Sequence, residues 1–414
     1  MSKKSSFQLV VNGFAILFLA TAVASIASAS TKVLYSFTAG SDGADPAGTL
    51  VFDSAGNAYG TGVVGGDFGY GVVFQLTPHA NGKWTQSVLW SFSAGADGKN
   101  PYGGVILDAA GNLYGTTVAG GLGGECTGDG CGVVYRLSQS KGGWNLTTLY
   151  NFTGLNDGFG PGGAVIMDKD GNLYGTTPDG GKFGEGVIYE LSPTNKGEWS
   201  LKVLHAFSGG KDGGVGSLGP LTFDSAGNIF GVTEVGGIHG AGTAFRLTSS
   251  AGKWRFSTIY AFKGMPSAAY PYGGLTPDKS GNLYGTTYYG GKNGVGSVFQ
   301  LSQGASGRWN AKILRSFGSG KELNSTTTTL VFDGSGDLWG TTAAGGDPGC
   351  DCGGVFELTP GGNKWSETVV HRFKSVPDGA YSYYGLALDS AGNLYGTTVQ
   401  GGIYNQGAIF RVKP

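Results

Sequence analysis

The apolar residues of this chain fall in runs of strand length bounded by Gly, Asp and Asn. None of the runs after residue 29 keeps the i, i+3, i+4 spacing of an amphipathic helix. One stretch shows the pattern: Gly104–Asp108, Asn112–Val118, Cys131–Leu137 and Trp144–Phe152 are four short β-branched or aromatic runs. They are apolar on both faces, which suits sheets covered on each side by a neighbour about 10 Å away. The pattern predicts an all-β protein.

The same four runs recur. A phrase of the form Asp-x-x-Gly-Asn-Leu-Tyr-Gly-Thr-Thr begins at Asp53, Asp108, Asp168, Asp224, Asp278, Asp333 and Asp389, in steps of 55, 60, 56, 54, 55 and 56 residues. Its Asp can accept a backbone N–H two residues on. The Gly that follows can take the left-handed conformation of a tight hairpin. A second Gly, inside the following strand (Gly60, Gly115, Gly175, Gly231, Gly285, Gly340, Gly396), marks the close approach of a neighbour.

The seventh unit stops at Pro414, before its fourth run, and the counterpart, Val33–Phe37, lies at the other end of the chain. Fragments that complete one another across the termini predict a closed ring. We therefore expect a seven-bladed β-propeller of four-stranded antiparallel blades, in which the N-terminal strand pairs with Ala408–Val412 and completes the C-terminal blade. An open solenoid would leave that strand unpaired and would need polar caps. Six of the eight tryptophans (Trp84, Trp144, Trp199, Trp254, Trp309, Trp365) open the fourth strands of the first six units.

Leu149–Phe152, Asn156–Gly158, Asp168–Thr177 and Gly186–Leu191 together resemble the GloVer (Gloeobacter–Verrucomicrobia) tandem repeat family. The Asp-x-x-Gly-Asn phrase is similar, more loosely, to NHL-type propeller repeats. The resemblance implies the fold and bacterial export, but no chemistry. Many members carry a C-terminal anchor, for which this sequence offers no segment.

The N-terminus agrees with export. Lys3 and Lys4, the apolar run Phe14–Ala24 and the small residues Ala27–Ala29 read as a signal peptide over residues 1–29. The apolar run is shorter than the ~20 residues that span a bilayer. Residues 30–414 are then 385 residues, seven times 55, in one propeller domain. We expect a secreted or periplasmic monomer with no membrane association after cleavage. A net charge of −1 and 13% charged residues exclude a nucleic-acid partner, which needs clustered Lys and Arg. Export favours disulfides, and the four cysteines predict two local bridges, Cys126 with Cys131 and Cys350 with Cys352.

In a propeller, the loops from fourth to first strand share a face with those from second to third, where the central channel opens. Five residues after each fourth-strand Phe stands an acid: Asp42, Asp97, Asp157, Asp212, Glu322 and Asp378, with Ser267 breaking the series. These acids read either as a carboxylate ring at the channel mouth, for Ca²⁺ or polar ligands, or as Asp-Gly turn formers. Tyr102, Tyr270, Tyr272, Tyr383 and Tyr384, with Phe68, Tyr70, Tyr288, Tyr289 and Tyr404, decorate the same loops and suit stacking on sugars or peptides. They vary from unit to unit on an even scaffold, as a ligand preference would.

His79, His205, His239 and His371 occupy unlike positions, and His205 and His371 read as packing in outer strands. No nucleophile elbow, phosphate loop or His-Glu metal pair stands out, and no cofactor is expected. Carboxylates for glycoside hydrolysis could come from Asp67, Asp129, Asp179, Glu185, Glu234, Asp347 or Asp351, subject to their separation. The sequence points to a non-catalytic binding propeller for extracellular carbohydrate or protein. A polysaccharide hydrolase or lyase and a structural surface protein are the alternatives.

Overall fold

A computed structural model describes residues 30–126, 128–216, 219–318, 322–362 and 364–414. The leader expected over residues 1–29 lies outside them. Among the described residues there is no helix, and so none long and apolar enough to cross a membrane.

Seven antiparallel sheets follow one another around a ring. In blade 1 the strands are Ala44–Phe52, Ala58–Val64, Val72–Pro78 and Trp84–Ser91, hydrogen-bonded in chain order. Blade 2 repeats this with Val105–Leu107, Leu113–Thr117, Val133–Ser140 and Gly143–Asn151. Blade 7 is composite. Ala387–Leu388, Leu394–Thr398 and Ala408–Lys413 come from the C-terminus, and Ser30–Ser36 supplies the fourth strand.

That last strand runs antiparallel to Ala408–Lys413, from Ser30 opposite Lys413 to Ser36 opposite Ala408, with a register shift between Val33 and Tyr35. Blade 3 has the corresponding shift in its outer pair, at Ile188/Tyr189. The N-terminal strand is thus the structural equal of every other fourth strand, and the ring is sealed as the repeat pattern predicts.

The first five residues of each second strand are buried, as in Leu173–Thr177, because a sheet covers each of its faces. Tryptophans opening the fourth strands stitch blade to blade. Trp144 meets Tyr59 of blade 1 edge-on at 6.5 Å, Trp254 meets Tyr174 of blade 3 at 5.6 Å, and Trp84 meets Tyr395 of blade 7 at 5.8 Å across the seam.

Along the channel the first strands approach backbone to backbone. A Cβ on Gly103 would lie 2.6 Å from the Gly163 carbonyl carbon, so only glycine permits this spacing.

The hairpin between first and second strands is held by its Asp. Asp53 accepts from Ala55 N, Asn57 N, Asn57 Nδ2 and Tyr59 Oη, all at 2.8–2.9 Å. Burial by itself would raise these carboxyls. The hydrogen bonds from the Asn side chain, the backbone and the Tyr outweigh it, and hold Asp53, Asp108, Asp168, Asp278 and Asp389 below the ordinary carboxylate value.

A folded-state value below the unfolded one, about 3.9, gives stability that is complete above that pH and lost as pH falls through the folded values. Five groups act in the same direction. The urea midpoint is therefore expected to drop between about pH 5 and about pH 3, and an unchanged midpoint would contradict this account.

Candidate functional site

The central channel is a cavity of about 700 Å³. Its lower wall is apolar, with Val51, Val105, Ile106, Val165 and Ile166 from first strands. Toward the face carrying the fourth-to-first and second-to-third loops, Tyr102, Tyr272, Tyr288, Tyr289, Tyr383 and Tyr384 take over the wall, joined by Glu234, Thr327 and Thr329.

Two variable positions of the repeat supply much of this wall. One lies six residues before the hairpin Asp and holds Ala47, Tyr102, Gly162, Leu218 (outside the described residues), Tyr272, Thr327 and Tyr383 in the seven units. The other lies ten residues after the hairpin Asp, at the end of the second strand, and holds Val63, Val118, Pro178, Glu234, Tyr288, Ala343 and Val399. The ring is nearly seven-fold in backbone but lopsided in chemistry, with Glu234 at the end of a blade 4 strand beside the tyrosines of blade 5.

Neighbouring blades fix the tyrosines. The Thr327 hydroxyl donates to the Tyr383 carbonyl at 2.8 Å and the Thr341 hydroxyl to the Tyr384 carbonyl at 3.1 Å. Tyr288 and Tyr289 stand perpendicular to one another, centroids 4.6 Å apart, and Tyr270 packs edge-on against Tyr289 at 5.8 Å. Burial raises the Glu234 carboxyl. It also raises Tyr272, and the neighbouring Glu234 carboxylate pushes in the same direction. Tyr383 and Tyr384 are raised first by burial and then by the tyrosines around them.

The six acids do not build a ring at the channel mouth. None of Asp42, Asp97, Asp157, Asp212, Glu322 and Asp378 lines the cavity. Each instead accepts from the side chain seven residues earlier: Tyr35 to Asp42 at 2.9 Å, Trp90 to Asp97 at 3.2 Å, Tyr150 to Asp157 at 3.0 Å and Arg315 to Glu322 at 3.2 Å. His205 and His371 pair in the same way with Asp212 and Asp378, at 3.0 and 2.8 Å. Five of the six acids also accept a backbone N–H four residues back, as Asp42 does from Thr38 at 3.0 Å, so the carboxylate clamps its own turn.

Tyr260, seven residues before Ser267, is the one donor of the series without an acid at that place. The sequence carried a signal for this pairing, since an N–H or O–H donor stands seven residues before every acid. His205 packs as expected, stacked on Phe256 at 3.7 Å, in addition to holding Asp212.

Other predicted groups are scattered. Tyr404 is exposed at the rim, and Tyr70 lies under the Lys99 ammonium, 5.6 Å from its ring centroid. Of the carboxylates considered for hydrolysis, only Glu234 lines the channel. Asp129 pairs with Lys99 at 2.6 Å, and Asp347 and Asp351 accept backbone N–H groups of Gly349 and Gly345. Asp67 lies in an outer groove with Asp42, Asp97, Trp90 and Trp144. The disulfides form as predicted, Cys126–Cys131 and Cys350–Cys352, with Cα separations of 5.4 and 5.2 Å. They clip second-to-third loops of blades 2 and 6 and imply an oxidising environment.

One cluster went unread in the sequence. Blade 6 has Asp337 where the other units have Asn, and Asp333, Asp337 and Glu357 bring carboxylate oxygens within 4.8 Å of one another on the face opposite the tyrosines. Burial first, then mutual repulsion, raises Asp337 and Glu357.

The solved structures similar to this chain are similar in fold alone. The polysaccharide lyase Uly1 is 11% identical over 88% of this chain and 89% of its own, with a TM-score of 0.51. A protein of unknown function from Dyadobacter fermentans DSM 18053 is 12% identical over 94% of this chain and 99% of its own, with a TM-score of 0.45. No curated protein matches. The model of the Gloeobacter/Verrucomicrobia repeat matches residues 20–219 and 217–414, and the chain belongs to that family.

Proposed function

We propose that this chain is an exported binding module that holds an extracellular carbohydrate at the tyrosine-walled mouth of its channel, without chemical turnover. The observation that carries this reading is the convergence of six tyrosines, drawn from blades 2, 5 and 7, on one cavity of about 700 Å³. That volume suits a small ligand or the end of a chain. Tyrosine offers a flat apolar face for a sugar ring and a hydroxyl for its polar edge. Glu234 is the one carboxylate among the described lining residues, so a two-carboxylate hydrolysis would lack its second acid there. The expected leader and the two disulfides support an extracellular or periplasmic setting.

A glycan array on the mature chain, followed by titration calorimetry of the hits, tests this. Tyr289→Ala and Tyr383→Ala are each expected to weaken binding about tenfold, the loss of ~1 kcal/mol or more per stacked ring. Equal affinity in both variants would remove the channel mouth as the site. Reducing ends or unsaturated products released from a polysaccharide would replace the binding module with an enzyme.

A further inference from the structure

The polar groups of the channel are lopsided in charge as well as in shape. Among the described lining residues there is one carboxylate, Glu234, and no Lys, Arg or His. Among the described residues no cation forms an ion pair with it either. A half-buried carboxylate that has lost part of its hydration gains nothing from a protein cation here, so the partner that would restore the balance must enter with the ligand.

The groups beside it are suited to such a partner. Tyr272 interacts electrostatically with Glu234, and also with Tyr102, Tyr288 and Tyr383, so these hydroxyaromatic side chains gather around one space. Tyr288 and Tyr289 meet edge to face at 88°, and both line the cavity that Glu234 lines. Ring faces beside a carboxylate attract an organic cation twice, through the ring quadrupoles and through the charge. An acidic polysaccharide would meet only Glu234 and find no positive group to balance it.

Resting on the reading of the channel mouth as a ligand site, we propose that this site selects a ligand carrying an alkylammonium group, which lies against the Tyr272, Tyr288 and Tyr289 rings with its charge toward Glu234. The free amine of an amino sugar and a quaternary ammonium compound share this chemistry.

Calorimetry with four probes separates the sources. They are a glucosamine oligosaccharide, its fully N-acetylated counterpart, choline, and the uncharged choline isostere 3,3-dimethylbutanol, all at about pH 6. The glucosamine oligosaccharide is expected to bind at least about tenfold more tightly than the acetylated one, and choline more tightly than its isostere. Glu234→Gln, which keeps the shape and removes the charge, is expected to reduce both preferences, leaving only the attraction of the rings.

Choline bound over its isostere, with neither oligosaccharide bound, would support the cation site and overturn the carbohydrate reading. Acetylated and free-amine oligosaccharides bound equally, with no effect of Glu234→Gln, would overturn the cation site and leave the carbohydrate reading standing. Binding of none of the four, in a chain whose circular dichroism shows it folded, would overturn both.

Discussion

Removing residues 30–37 is expected to destabilise the whole ring by more than about 5 kcal/mol. The deletion takes away the fourth strand of blade 7 and with it Phe37, which is fully buried and packs edge-on against Phe74 of blade 1 at 5.3 Å. Truncating a buried Phe costs about 3–5 kcal/mol on its own. The hydrogen bond from Phe37 N to the Gly407 carbonyl, at 3.0 Å, and the ladder to Ala408–Lys413 are lost as well. The partner strand, with Ile409 and Phe410 buried, would become a bare apolar edge. At about 2 °C per kcal/mol for a chain this long, the melting midpoint should fall by about 10 °C or more. A synthetic peptide of residues 30–37 added in trans should restore part of the loss. Melting followed by circular dichroism decides the matter, and equal midpoints would show that the seam carries no stability.

The second large effect is expected from Gly340→Val. A Cβ at Gly340 would stand 2.5 Å from the Phe356 ring and 2.8 Å from Leu330 Cδ2, both side chains buried in the interface with the preceding blade. Neither side chain can swing into solvent. The substitution should cost about 3 kcal/mol or more, since overpacking a close-packed interior forces rotamers and backbone to shift. Gly336, four residues earlier in the hairpin, is the control. Its φ of +89° disfavours a side chain, but nothing lies within 4 Å of the position of its Cβ. Gly336→Ala should therefore cost only ~1 kcal/mol, from the left-handed backbone. Comparable urea midpoints for the two variants would remove close packing as the reason for the second-strand glycine.

How far the sequence reaches depends on whether an interaction repeats with the chain or across it. The hairpin Asp is legible because its partners are two and four residues away in every unit, and six away in all but the fourth, where Phe230 stands. Ring closure is legible because a missing piece at one end matches an extra piece at the other. The acid series was half legible. Its spacing was plain, but the direction of each carboxylate was not, because that depends on a donor brought alongside by the bulged fourth strand. Glu234 was seen only as one carboxylate among seven. Its departure from Val, Pro, Ala and Tyr at the same place in the other units was the signal that it stands in the channel wall.

Local periodicity therefore determined the strands, the turns, the number of blades and the sealing of the ring, since each rests on backbone geometry and short-range hydrogen bonds that every copy repeats. Only the tertiary structure decided which varying side chains meet. Tyr102, Glu234, Tyr272, Tyr288 and Tyr383 are spread over more than half the chain and become neighbours because wedges from blades 2, 4, 5 and 7 converge on one axis. The acids, with donors on their own outer strands, are held away from it.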